Sequence, residues 1–188
     1  MEVEFRRTGE RQYVVRIIRP GRPTLEMNPA PGYDVRMPHD LMHFVVEREL
    51  GLRHAIFGQL AAGGTAGTFR AAASGLASDC EAARQRRALA KRGARPLQQG
   101  RADAAMSERM ADVCWRAWSA RAAGGKVAVT GAMGCSADEL GRICDVLDEM
   151  SAAWATLGIG QALTLHWPDA SGEPRCDAAR QKRRASEV

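Results

Sequence analysis

The sequence predicts an α+β fold in which a small, mainly antiparallel sheet carries about four helices on one face. Alternation of apolar and polar residues at 2–7 and 12–18 indicates two strands, and the glycine turn 8–11 joins them as a hairpin. A similar alternation at 161–167 indicates a strand near the other end of the chain. Helical patterns dominate between these strands, and strands that bracket helices are typical of one sheet layer covered by one helix layer.

The elements after the hairpin follow from local signals. Residues 24–27 indicate a third short strand. A helix is predicted from Pro38, which suits a first helical turn, to about Leu50, where Gly51 can end it. The Ala- and Gly-rich residues 54–77 indicate one short helix and a loose connection.

Two capping boxes predict where later helices begin. They lie at 78–81, before a helix that ends near Gly93, and at 136–139, before a strongly periodic helix. A further helix is predicted over 103–122, and the β-branched run 126–130 indicates a strand.

The chain has 188 residues and 45% apolar residues, which suits a single packed domain. We expect that domain to span 1–169 and the polar, basic tail 170–188 to be disordered. No apolar leader or membrane span is expected, and the odd number of cysteines lacks a Cys-x-x-Cys pair. A cytoplasmic protein with reduced thiols is therefore predicted.

The most chemically informative segment is the run His-Asp-Leu-Met-His at 39–43, followed by Glu47. His39, His43 and Glu47 are spaced four apart, so a helix places them on one face, one turn from the next. Two imidazoles and a carboxylate suit a divalent metal such as zinc. Asp40 lies beside them and is the candidate to orient a ligand or to act as base toward a metal-bound water.

This run resembles two known helical signatures. The first is the His-Glu-x-x-His helix of zinc metalloproteases, with Asp40 at the position of the glutamate. The second is the His-Asp-x-x-His helix of ubiquinone-biosynthesis accessory proteins, in which a further glutamate stands where this chain has Ala55. Each resemblance covers five residues and implies a metal site, and neither assigns the chain to a family.

A purely structural interpretation of the same helix stays open. His39 lies at the edge of the apolar arc, where a packed or capping histidine is common, and a metal would need a fourth ligand from protein or water. The remaining histidines, His54 and His166, have no predicted position relative to it. Glu49 falls within the apolar arc, where burial would require a partner such as Arg16.

The segment 84–101 carries seven basic residues and no acid. Arg84, Arg87 and Lys91 form one helical stripe that suits phosphates or an acidic partner, although no aromatic residue is present to stack a base. The sequence thus predicts a small metal-binding protein, with metal-dependent hydrolysis as its suggested activity. The alternatives are a module that binds nucleic acid or an acidic partner, and a structural protein without chemistry.

Overall fold

The computed structural model describes residues 1–72, 100–125 and 134–168. In these ranges the chain forms five strands, which are β1 (Glu2–Gly9), β2 (Gln12–Ile18), β3 (Leu25–Met27), β4 (Arg70–Ala71) and β5 (Ala162–His166). It also forms four helices, which are α1 (His39–Glu49), α2 (Ile56–Ala61), α3 (Arg101–Ala122) and α4 (Ala137–Ala155).

The strands form one sheet in the order β4-β3-β2-β1-β5, and all neighbours are antiparallel. Phe5 in β1, an inner strand, lies opposite Val15 of β2 on one side and Leu163 of β5 on the other, and all three are buried. Because side chains alternate across a strand, this register collects the apolar side chains on the face that the helices cover. The predicted α+β class is confirmed.

The predicted hairpin, the third strand and the strand near 161–167 are all present in the sheet. The predicted helix at 78–93, the strand at 126–130 and the tail at 170–188 lie outside the described residues. Within the described residues, no helix is long and apolar enough to cross a membrane. The cysteines found there are free and buried, namely Cys114, Cys135 and Cys144.

Helix α1 is the centre of the fold, since it packs against α2, α3 and α4. Every residue from 40 to 47 is buried. Phe44 makes edge-to-face contacts with Phe5, Phe57 and Trp167, at ring-centroid distances of 6.0, 5.1 and 5.7 Å. Between residues 40 and 47 this helix has no solvent face, so the polar side chains there need partners within the protein.

The prediction of a buried Glu49 paired with Arg16 is wrong. Glu49 is exposed at the end of α1 and pairs with Arg48, at 2.9 Å between Oε1 and Nη2. Arg16 lies across the hairpin from Glu4, at 3.6 Å. The buried glutamate of α1 is Glu47. Helical periodicity alone predicts that its side of the helix faces solvent, but the neighbouring helices cover that side.

Helix α4 begins with the predicted capping box. The backbone N–H of Glu139 donates to Ser136 Oγ at 3.2 Å, and the backbone N–H of Ser136 donates to Glu139 Oε2 at 2.8 Å. Each side chain therefore satisfies a backbone donor that the helix itself leaves unpaired.

We expect Ser136→Ala to lower the free energy of unfolding by about 1 kcal/mol, because the hydroxyl acceptor of the cap is lost. Urea denaturation followed by circular dichroism measures this change. Ser136→Thr keeps the hydroxyl and is the matched control. Equal stability of the alanine and wild-type proteins would show that the cap contributes nothing.

Candidate metal centre

The two histidines of α1 lie at its N-terminal end. His39 is the first helical residue and His43 follows one turn later, with ring centroids 4.6 Å apart and planes at 81°. The backbone N–H of His39 donates to the carbonyl of Gly32 at 3.1 Å. Gly32 has φ +71°, and a Cβ there would lie 2.7 Å from Cβ of His39, so only glycine allows this loop to hold the His39 backbone so closely.

Glu108 of α3 completes a group with these histidines. One ligand atom from each of His39, His43 and Glu108 lies within 4.8 Å of the others. Nε2 of His43 is 3.6 Å from Oε2 of Glu108. Tetrahedral ligands at about 2.1 Å from a zinc ion lie about 3.4 Å from one another, so this separation is close to that of two ligands of one ion.

A chain of hydrogen bonds sets the protonation of the His43 ring. Ser107 Oγ donates to Glu47 Oε1 at 2.8 Å, and Nδ1 of His43 lies 2.8 Å from the same Ser107 oxygen. When Glu47 is ionised, the Ser107 hydroxyl donates to its carboxylate, so Ser107 accepts from His43 and Nδ1 carries the ring proton. Nε2 is then the ring nitrogen with a free lone pair.

This lone pair of His43 is buried and unmatched. The side chain is 2% exposed, and Nε2 has no hydrogen-bond partner among the described residues. Burial, and to a smaller degree the charge of His39, lowers the pKa of His43 to about 4, so the ring is neutral at pH 7. A neutral Nε2 and the carboxylate of Glu108 are two electron-pair donors that face each other.

Glu47, the third ligand predicted from the sequence, is directed elsewhere. Its carboxylate accepts the backbone N–H groups of Ile56, at 3.2 Å, and Phe57, at 2.8 Å. These are the first two residues of α2, whose N-cap residue Ala55 has no side chain that could accept them. Burial raises the pKa of Glu47 to about 7, against the lowering effect of these hydrogen bonds and that from Ser107. Glu47 thus reaches the histidine pair only through Ser107.

Asp40, the predicted base, is also outside the group of ligand atoms. It is buried and accepts a hydrogen bond from the Tyr13 hydroxyl of β2, which also contacts the carbonyl of Pro31. Burial raises the pKa of Asp40, and the hydrogen bond from Tyr13 and the charge of His39 partly oppose this rise. Burial and the neighbouring Asp40 raise the pKa of the Tyr13 hydroxyl. These contacts fasten the start of α1 to the sheet, and the role of Asp40 as a base stays a prediction.

A cleft of about 340 Å³ opens beside the group. His39 and Glu108 are exposed and line it, whereas His43 is buried behind them. Its remaining lining residues are Gly32, Tyr33, Asp34, Met37, Met42, Ala111, Asp112 and Trp115. The cleft gives solvent and small molecules access to the exposed ligands of the group.

The other histidines do not join this centre. His54 is exposed, and its backbone N–H donates to Asp103. His166 is exposed on β5, 3.9 Å from Glu2. The basic stripe Arg84, Arg87 and Lys91 lies outside the described residues, so its predicted contact with nucleic acid or an acidic partner stays a prediction.

Sequence reasoning did not identify Ser107 and Glu108 as site residues. One signal was available, because Ser107 lies three and four residues before Met110 and Ala111, on the buried face of α3. A serine at such a core position needs an internal partner. Glu108 carries no comparable signal, since an exposed glutamate on a helix is ordinary.

Comparison of the chain with protein-family models, with curated proteins and with solved structures finds no match.

Proposed function

We propose that the protein binds a divalent transition-metal ion, zinc in particular, through Nε2 of His43, a ring nitrogen of His39 and a carboxylate oxygen of Glu108. The observation that carries this proposal is the buried, unpartnered Nε2 of His43, 3.6 Å from the Glu108 carboxylate. A buried polar atom without a hydrogen-bond partner lowers the stability of a fold by about 1–3 kcal/mol. A cation between Nε2 of His43 and the Glu108 carboxylate would interact favourably with both.

The surroundings of His43 suit a metal ligand. Histidines that bind metals commonly donate their other ring N–H to an oxygen, which fixes the tautomer and the orientation of the ring. Ser107 occupies that position here, held by its own hydrogen bond to Glu47. The sequence-based hypothesis of two histidines and a glutamate is therefore retained, with Glu108 as the acidic ligand and Glu47 as an indirect support.

We further propose hydrolysis as the class of reaction. Catalytic zinc sites have three protein ligands and one position for water, whereas structural zinc sites are closed. The cleft beside the exposed His39 and Glu108 leaves room for such a position. A zinc ion lowers the pKa of a bound water to about 7, which makes a nucleophile available at neutral pH.

Metal titration of protein purified without a histidine tag tests the proposal. After treatment with a chelator, the protein should take up about one equivalent of Co²⁺ with the visible absorption of a four-coordinate ion, and Zn²⁺ should displace it. His39→Ala, an exposed position, should abolish that absorption. Uptake below about a tenth of an equivalent, or uptake that His39→Ala leaves unchanged, would overturn the metal site.

We expect Ser107→Ala to weaken Co²⁺ binding by about tenfold, because the His43 ring loses the oxygen that orients it. The dissociation constant from the absorption titration measures this change. Ser119→Ala removes a hydroxyl from the same helix away from the centre and should bind as wild type, and Ser107→Thr should restore most of the affinity. Unaltered affinity in Ser107→Ala would argue that the hydrogen bond does not support a ligand.

A further inference from the structure

We infer that Arg19 and Arg22 form a binding site for a phosphate group beside the Gly63–Gly64 turn, which follows α2. The inference goes beyond the proposed metal centre and uses none of its residues. Two observations carry it. One guanidinium is buried without a counter-ion among the described residues, and a second guanidinium lies beside the same turn.

A β-turn brings the two arginines together. Arg19 follows the last residue of β2, and the backbone N–H of Arg22 donates to the carbonyl of Arg19 at 3.2 Å. Pro20 and Gly21 are the middle residues of this turn, and the φ of +65° at Gly21 suits the third position of a type II turn. The first and last Cα atoms of a β-turn lie less than about 7 Å apart, so the two side chains begin close together.

The Arg19 side chain reaches the end of α2. The residue is only 6% exposed, and Nη1 donates to the carbonyls of Leu60, at 2.8 Å, and Gly64, at 3.4 Å. Nε is buried without a hydrogen-bond partner among the described residues. Nη2 donates to no described residue either, but it is not closed off from solvent as Nε is. The carbonyls therefore satisfy one of the three guanidinium nitrogens and leave the open one free for a ligand.

The Arg22 guanidinium lies against the other glycine of the Gly63–Gly64 turn. Gly63 has φ +103°, and a Cβ there would lie 2.0 Å from Nη1 of Arg22, so glycine is needed for this close approach. Arg22 is exposed, which makes the pair accessible from solvent. Burial, and to a smaller degree the charge of Arg22, lowers the pKa of Arg19, which still remains protonated at pH 7.

The charge of this pair is not balanced within the described part of the chain, where no carboxylate forms an ion pair with either arginine. A buried charge ordinarily has a partner of opposite sign, because its removal from water is costly. The carbonyl dipoles at the end of α2 reduce this cost without cancelling the charge. A phosphate dianion matches two positive charges, and the planar fork of a guanidinium suits its oxygens, whereas a carboxylate would balance only one charge.

Titration with inorganic phosphate at pH 7.5 tests the site, on metal-free protein from which the chelator has been removed. Sodium chloride keeps the ionic strength constant, so general screening does not contribute. We expect saturable shifts of the Gly63 and Gly64 amide resonances and a rise in the melting temperature, since the anion binds the folded state. Acetate should bind at least about tenfold more weakly.

Methyl phosphate, titrated in the same way, identifies the source of the phosphate group. Binding as tight as that of inorganic phosphate would support a site for the phosphate group of a larger molecule. Binding of inorganic phosphate alone would support a site for the free ion.

Arg22→Gln should weaken phosphate binding by about tenfold, because one of the two cations is removed from an exposed position. Arg11→Gln is the matched control, since Arg11 is exposed in the hairpin turn between β1 and β2 and its loss changes the net charge equally. Arg19→Lys should also weaken binding, and Arg22→Gln decides the matter if that buried variant fails to fold. Unaltered affinity in Arg22→Gln, an equal loss in Arg11→Gln, or acetate binding as tight as that of phosphate would overturn the inference.

Discussion

Glu108→Gln should weaken Co²⁺ binding by more than about 100-fold while the protein remains folded. Loss of a group that only orients a ligand typically costs 10- to 100-fold, and loss of a direct anionic ligand should cost more. The Glu108 side chain is 67% exposed, so its replacement by an amide of the same size leaves the core unaltered. Absorption titration measures the affinity, and circular dichroism verifies the fold.

Two further variants provide a control and test whether Glu47 or Glu108 is the acidic ligand. Glu149→Gln, an exposed glutamate of α4 outside the centre, should bind the metal as wild type does. Glu47→Gln separates the two ligand sets, because Glu47 contacts His43 only through Ser107. A greater loss of affinity in Glu47→Gln than in Glu108→Gln would favour the ligand set read from helical spacing over the one that includes Glu108.

Glu47→Gln should also change how stability depends on pH, when measured with a chelator present. Burial raises the pKa of Glu47 from 4.5 to about 7, so the folded state binds more protons than the unfolded chain between these values. The contribution of Glu47 to the unfolding free energy is therefore complete below pH 4.5 and is lost as the pH rises to 7. The stability of Glu47→Gln relative to wild type should rise by about 3 kcal/mol over that range.

The effect of His43 on the pH dependence of the unfolding free energy has the opposite sign. The pKa of His43 falls from 6.5 to about 4, so its contribution is complete above pH 6.5 and is lost as the pH falls through 4. The contributions of Glu47 and His43 should cancel between pH 4.5 and 6.5 in the wild type. In Glu47→Gln the effect of His43 is unopposed, and stability should climb with pH by about 1.4 kcal/mol per unit relative to wild type.

Urea unfolding at half-unit pH steps from about 4 to 7.5 measures these slopes. Glu49→Gln is the matched control, since Glu49 lies two residues further along α1 but is exposed. Its profile should run parallel to that of the wild type. If the Glu47→Gln profile ran parallel as well, the carboxyl would titrate alike in the folded and unfolded states, and the protonated buried form would be ruled out.

Local patterns predicted most of the described fold. The alternation in β1 and β2 appears in the sequence because a strand turns its side chains to opposite faces with a period of two. The capping box of Ser136 and Glu139 lies within four residues, so its geometry depends on the helix start alone. The short strand β4 was not predicted, because two residues at a sheet edge contain no periodic signal.

By itself the sequence determined that His39 and His43 share one face of a helix, because residues four apart on a helix are always neighbours. Only the tertiary structure decided which acid joins them. Glu47 has the same helical spacing, but its carboxylate accepts hydrogen bonds from the N-terminus of α2. The acid that lies next to the histidines is Glu108 of α3, 65 residues after His43 in the chain. Backbone geometry sets the neighbours within a helix, whereas contacts between helices depend on how their surfaces pack, which no local spacing encodes.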